Sequence, residues 1–266
     1  MNQCFNGLTT VNVELTSRCN KNCWMCGRRK VDREYPELAI QYGDMDFSLV
    51  KSIAKQLPDG IVVQLHNNGD PLLYPRFKDA AELFKRQIRC TDTNGKLLME
   101  KADEIIGNLE TITISTFEKD EDADEQYGLI EQFLAIKGDK KPEVITRCLG
   151  DVNLERYAKF GCTMATRILH SPMGSFQYRK RPTVPEIGIC LDLLNHMVIR
   201  RDGRVSICVR FDPKGVGIIG DCTKTPLLDI WNSPQRREWI NSHISGKRKE
   251  VPLCSHCEFW GVPTGY

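Results

Sequence analysis

The sequence predicts an α/β fold: a partial (β/α)6 TIM-like barrel followed by a small C-terminal domain built from a β-hairpin and short helices. Three observations carry this reading. Short runs rich in Ile, Val and Thr alternate with helical runs through the first two-thirds of the chain, the signature of βα units with right-handed crossovers. About six such strands are present, too few to close an eight-stranded barrel. After about residue 185 the rhythm changes to a hairpin, two short helices and a cysteine-bearing knuckle. The expected domains are therefore residues 1–185 and 186–266.

The strands are expected at Val11–Leu15, Ile61–His66, Ile88–Thr93, Thr111–Thr116, Val144–Leu149 and Met164–His170. Between them, Asp46 caps a helix to about Leu57, as a short acidic side chain does by accepting from the first-turn amides. A second helix starts near Pro75 and runs through Lys85, and a third spans Leu97–Ile106 with Gly107 as its stop. Asp122–Ile136 and Val152–Phe160 complete the set. In the C-terminal part, Met197–Ile199 and Val205–Val209 flank the turn Arg201-Asp202-Gly203-Arg204. Short helices are expected at Pro226–Asn232 and Gln235–Ile244, and the knuckle at Leu253–Trp260. Arg179–Thr183 reads as the linker.

The composition is that of a globular protein, with 41% hydrophobic and 27% charged residues. Lys plus Arg is 37 against 35 for Asp plus Glu, a balance that argues against nucleic acid as a partner and against a polybasic membrane anchor. No apolar run approaches the roughly 18–20 residues of a membrane span. The start, Met1-Asn2-Gln3-Cys4-Phe5, lacks a basic region followed by an apolar stretch, so a secretory signal is not expected and the cytoplasm is the expected compartment. Twelve cysteines in 266 residues, about 4.5%, lie well below disulfide-scaffold density. In a reducing compartment such cysteines are metal ligands or catalytic thiols.

Three of them, Cys19, Cys23 and Cys26, stand at C-x3-C-x2-C spacing in the loop after the first strand. Three thiolates hold an iron–sulfur cubane and leave its fourth iron open to a chelating ligand, whereas four would close it for plain electron transfer. Zinc would need a fourth ligand, and no further Cys or His lies close by in sequence. The spacing resembles the C-x3-C-x-φ-C signature of the radical S-adenosylmethionine (SAM) enzymes, with Met25 at the φ position and the aromatic Trp24 one place earlier. The resemblance implies a [4Fe–4S] cluster on Cys19, Cys23 and Cys26. Its unique iron binds the amino and carboxylate groups of SAM, and reductive cleavage yields a 5′-deoxyadenosyl radical that takes a substrate hydrogen.

Other segments fit the same resemblance. Asn67-Asn68-Gly69-Asp70-Pro71 follows strand two and is similar to the Gly-Gly-Glu-Pro-type segment that binds the SAM ammonium, with Asp70 in place of Glu. It implies cofactor contacts at Met25, Asn68, Gly69, Asp70 and Pro71, although Asn-Gly-Asp-Pro is also good turn chemistry. Thr93-Asn94-Gly95 follows strand three, making Asn94 either a cofactor residue or part of a capping turn. Ser115 and Thr116 end strand four and are expected at the SAM ribose or carboxylate. Arg147 on strand five pairs with the SAM carboxylate, acts at the reaction site, or forms a structural ion pair.

The C-terminal region carries Cys190, then Cys208 in the hairpin, then Cys254-Ser-His-Cys257. On spacing alone this suits a zinc ribbon. The intervening Gly217-Ile-Ile-Gly-Asp221 and Thr225–Ser233 resemble the SPASM and shorter twitch extensions of radical SAM enzymes. That resemblance implies one auxiliary [4Fe–4S] cluster on Cys190, Cys208, Cys254 and Cys257, with Cys222 as an alternative ligand. Cys90, Cys148 and Cys162 read as small buried hydrophobes.

A fully ligated auxiliary cluster is suited to accept an electron from a substrate radical, giving a net two-electron oxidation. This is the logic of twitch dehydrogenases that oxidise an aminocyclitol alcohol, and the implied substrate is a small sugar- or cyclitol-like alcohol. The alternative is a maturase that oxidises, epimerises or cross-links a ribosomal peptide. His170, at the end of strand six, is either the base that takes the hydroxyl proton or a histidine bonded within the barrel rim. A flavodoxin or ferredoxin is the implied reductant.

Overall fold

A computed structural model of the chain describes residues 4–167 and 189–257. Six strands form in the expected places: β1 (Thr10–Val13), β2 (Val62–Gln64), β3 (Ile88–Thr93), β4 (Thr111–Phe117), β5 (Glu143–Leu149) and β6 (Thr163–Arg167). Each pairs in parallel with the next. Three more strands follow: β7 (His196–Ile199), β8 (Arg204–Ser206) and β9 (Ile218–Asp221). The sheet order is β6-β5-β4-β3-β2-β1-β7-β8-β9, so among the described residues β6 and β9 are the edges and the barrel is open. β7 adds to β1 in parallel and then turns into the antiparallel β8 and β9. The C-terminal hairpin thus extends the barrel sheet.

The helices are α1 (Gly27–Glu34), α2 (Phe47–Gln56), α3 (Phe77–Leu83), α4 (Ala102–Ile105), α5 (Ala123–Lys137), α6 (Leu154–Ala158), α7 (Leu191–Asn195), α8 (Leu227–Trp231) and α9 (Pro234–Ile244). Asp46 caps α2 by accepting from the Ser48 amide, and Gly107, at φ +79°, follows the stop of α4. α4 is shorter than the expected Leu97–Ile106. Side chains compete for its first amides: Gly95 N–H donates to Thr93 Oγ1 and Lys96 N–H to Asn94 Oδ1, which holds the entry as a turn. α1, α7 and β9 have no counterpart in the sequence reading. The linker Arg179–Thr183 and the end of the sixth expected strand lie outside the described residues.

One continuous apolar core joins the two parts of the chain. Val11, Val13, Val63, Ile112 and Ile114 of the barrel are fully buried, as are Met197, Ile199, Val205 and Leu227 of the C-terminal part. Cys148 and Cys222 are buried, the former as expected; Cys90 and Cys162 are only partly covered. Among the described residues no helix is long and apolar enough to cross a membrane.

Candidate active site

The loop from β1 to α1 carries Cys19, Cys23 and Cys26. It is fixed from several sides. Cys26 is the N-cap of α1 and donates its amide to the Cys23 carbonyl at 3.0 Å. Arg29, on the first turn of α1, reaches back to the carbonyls of Cys19 (3.2 Å) and Lys21 (3.3 Å). Lys21 forms an ion pair with Asp120 of the β4–α5 loop at 2.5 Å, both side chains only 4% exposed, and its ammonium stands 4.7 Å from the Phe117 ring. Met25 packs on Phe117, with Cys23 and Leu149 beside them. Burial, together with the neighbouring Cys19 and Cys26, pushes the Cys23 thiol up to about 12. A bound metal cluster deprotonates its thiol ligands outright. No group of three His, Cys, Asp or Glu among the described residues converges on a single ion; a cubane takes its thiolates on separate irons.

The strand ends beside this loop hold most of the residues singled out in the sequence. Asn68 donates its amide and side-chain nitrogen to Glu14 Oε1, at 3.2 and 3.0 Å, and Glu14 Oε2 accepts from Arg201 N–H. Gly69 lies so close to the β1 loop that a Cβ there would stand 2.6 Å from the Arg18 carbonyl and closer still to that of Thr16; only glycine fits. Asp70 starts the turn Pro71–Leu73 and is 2% exposed. Its carboxylate accepts from Leu72 N–H, Thr93 Oγ1 and Asn94 N–H. Burial still raises its carboxyl above the ordinary value, against those hydrogen bonds. Asp70 therefore ties the end of β2 to the end of β3. Asn94 completes the corner: its Nδ2 lies 2.8 Å from Asn20 Oδ1 and 3.8 Å from Cys19 Sγ.

Register aligns Asp92 with Thr113 and Ser115 with Arg147, so these four share one face of the sheet. Thr116 stands on the opposite face, fully buried against Cys148 Sγ at 3.6 Å. Arg147 Nη1 forms a short ion pair with Asp92 Oδ2, and His66 Nε2 stands 3.3 Å from the same oxygen. His66 Nδ1 accepts the Asp92 amide at 3.2 Å, which leaves the ring proton on Nε2. Burial opposes ionisation of Asp92, but His66 and Arg147 outweigh it and hold the carboxyl far below its ordinary range. Asp92 Oδ1 is buried with no partner among the described residues. His66 was not singled out from sequence, because only strand register brings it onto Asp92. His170 lies outside the described residues.

The second cysteine group lies at the other end of the sheet. Cys190 caps α7 ahead of β7, and Cys208 follows β8, whose end meets the start of β7. The Cys26 loop instead leaves the far end of β1, the parallel neighbour of β7. Cys254 and Cys257 form a turn, with Cys257 N–H on the Cys254 carbonyl at 3.2 Å. Arg248 donates to the carbonyls of both, the first at 2.5 Å. Burial pushes the thiols of Cys190, Cys208 and Cys254 upward, Cys254 to about 12, and Cys190 feels Cys257 just as Cys254 feels both. Every cysteine in the chain is free of disulfide. Cys222 stands apart, on the rim of a surface cavity with Asp44, Arg201 and Thr223.

A polar chain links the two ends. Cys208 Sγ contacts Asp192 Oδ2 at 3.7 Å, and Asp192 Oδ1 lies 3.5 Å from His196 Nδ1. His196 Nε2 meets the buried Asn12 Oδ1 at 2.6 Å, and Asn12 Nδ2 donates to the His66 carbonyl at 2.7 Å.

Residues 190–258 match the SPASM family, an iron–sulfur cluster-binding domain. Over 97% of both chains the structure superposes on BtrN in complex with AdoMet and 2-DOIA, with a TM-score of 0.68 and 20% identity. The chain has the fold of BtrN, with a SPASM-type domain over residues 190–258. Streptococcus suis SuiB bound to S-adenosylmethionine is also similar, with a TM-score of 0.63 and 12% identity over 95% of this chain and 71% of that one. A stretch of 94 residues is 34% identical to the tungsten-containing aldehyde ferredoxin oxidoreductase cofactor-modifying protein of Pyrococcus furiosus, covering 34% of this chain and 24% of that relative. The SPASM-type match spans Cys190, Cys208, Cys254 and Cys257 together.

Proposed function

We propose that the chain is a radical SAM oxidoreductase that oxidises an alcohol of a small sugar- or cyclitol-like substrate. One observation carries the reading: the loop with Cys19, Cys23 and Cys26 leaves the far end of β1, while Cys190 and Cys208 flank the start of its parallel neighbour β7. When bound, SAM and two [4Fe–4S] clusters supply hydrogen abstraction at one end and an electron sink at the other. Cys19, Cys23 and Cys26 hold the first cluster; Cys190, Cys208, Cys254 and Cys257 hold the second. Met25, the Asn68–Pro71 corner and Asn94 border the place for SAM. Asp92, with its unpartnered Oδ1, and Arg147 orient a substrate hydroxyl by hydrogen bonding. His170 is the proposed base, and a flavodoxin or ferredoxin the proposed electron donor. The small-substrate reading is supported by the match in extent with BtrN, in which AdoMet and 2-DOIA are both bound.

Anaerobic reconstitution and counting of iron, sulfide and zinc test this directly. About eight irons per chain are expected, and about four after Cys19, Cys23 and Cys26 are changed to Ala. About four irons with one zinc would remove the electron acceptor and with it the dehydrogenase reading. No iron would overturn the enzyme class. SAM cleavage in the presence of cyclitol alcohols but not peptides is then expected; the reverse would mark a peptide maturase.

A further inference from the structure

Arg167 ends β6 at the carboxyl-terminal edge of the barrel sheet, the edge at which such barrels carry their chemistry. Register sets it opposite Leu149, and sets Arg147 opposite Ala165. Residues two apart on a strand share a face, so Arg167 lies on the face that carries Arg147, Ser115 and Asp92. Arg147 and Arg167 are diagonal neighbours there, about 7–8 Å apart along the backbone and within reach of long side chains. Charge on this part of the face does not balance. The Asp92 carboxylate is taken by Nη1 of Arg147 and by His66. Arg147 Nε and Nη2 have no partner among the described residues, and the Arg167 side chain forms no ion pair or hydrogen bond with any of them. Arg167 is exposed at the strand end. Even so, partial burial and then the Arg147 charge act against its own charge, and Asp92 offsets only part of that. A guanidinium fork matches the paired oxygens of a carboxylate or a phosphate. Two such forks with open donors stand on one face, and one of them lacks a counter-charge.

We propose that Arg167, with the open side of Arg147, binds an anionic group of the substrate, a carboxylate or a phosphate. The proposal rests on the reading of the barrel mouth as the place where an alcohol is oxidised. It narrows that substrate to a sugar-like alcohol carrying a negative charge. The carboxylate of SAM is not this anion. The Asn68–Pro71 corner and Asn94, which border the place for SAM, follow β2 and β3, four and three strands along the sheet from β6. A neutral alcohol leaves Arg167 without a counter-charge and gains nothing from it. Arg167 therefore determines specificity through the charge of the substrate.

The test is isothermal titration of the whole reconstituted, SAM-loaded chain with glucose, glucuronate and glucose phosphate, which differ in charge on one sugar frame. At least one charged probe is expected to bind about 10- to 100-fold more tightly than glucose, the worth of one charge-assisted contact. Which of the two binds tells carboxylate from phosphate. Arg167→Gln is expected to remove that preference and Arg167→Lys to restore part of it, with iron content and SAM affinity as in the parent. Equal affinities for the three probes, no binding of any at millimolar concentration, or a preference that survives Arg167→Gln would overturn the proposal. So would a fall in SAM affinity in Arg167→Gln, which would assign the arginine to the cofactor. The oxidation reading fails separately: a parent that binds a charged probe but never cleaves SAM under dithionite keeps the anion site and loses the enzyme beneath it.

Discussion

Asp92, at the barrel mouth, meets both Arg147 and His66 through one oxygen. Replacing it by Asn leaves the Arg147 guanidinium without its partner. The side chains are 14% and 21% exposed, so the expected cost is about 2–3 kcal/mol, below the roughly 3–5 of a fully buried pair. Because its carboxyl is held far below the ordinary range, Asp92 contributes this stability in full above about pH 5 and loses it progressively as pH falls from about 4 toward the depressed folded value. Urea midpoints at pH 7 and pH 3 check this: the parent is expected to lose more stability between them than Asp92→Asn, and equal losses would refute it. The site is unevenly legible at this scale. Cys19, Cys23 and Cys26 stand out because cluster ligation imposes a short spacing within one loop. Asp92 and His66 do not, because 26 residues separate them and only parallel pairing brings them together. Asp70 stands out as turn chemistry, but its bonds to Thr93 and Asn94 cross between strands and leave no trace in sequence.

Among the elements, the strands were readable because Ile, Val and Thr concentrate in them: β3 runs Ile88–Thr93 as expected, and β4 and β5 differ by a residue at one end. α1 was not, since GRRKVDRE buries only Val31 and the foot of Arg28 and shows no apolar stripe. Its role explains the composition, because Arg28 and Arg29 turn inward to hold the cysteine loop. The other side of that loop depends on Lys21 and Asp120, both 4% exposed. Lys21→Met strands a buried carboxylate and is expected to cost about 3–5 kcal/mol. Adding Asp120→Leu removes the stranded charge, so the double variant is expected to recover at least half of that loss in thermal unfolding. Additive losses would mean that the two loops are not joined through this pair.

For the molecule as a whole, the sequence divides the chain at residue 185, while the sheet runs through that division. β7 lies against β1 over four aligned residues, from Thr10–His196 to Val13–Ile199. The seam is sealed by Asn12, which bonds His196 on one side and the His66 carbonyl on the other. Trp231 of α8 donates to the Asn6 carbonyl, and Arg236 of α9 stacks on it at 3.3 Å while donating to the carbonyls of Leu193 and Leu194. Removing the C-terminal part would bare the β1 edge and take the buried Met197 and Ile199 out of the shared core, so neither part has a complete core alone. Hydrogen exchange reads this directly, since amides in one cooperative unit open at one free energy. The amides of β1 and β2 and those of β7 and β8 are expected to share the same slow limit. Opening of β7 and β8 at much lower cost would show an auxiliary domain that detaches from a stable barrel. A shared limit means that the two cysteine groups belong to one cooperative unit, as the proposed passage of an electron from the barrel face to the second group requires.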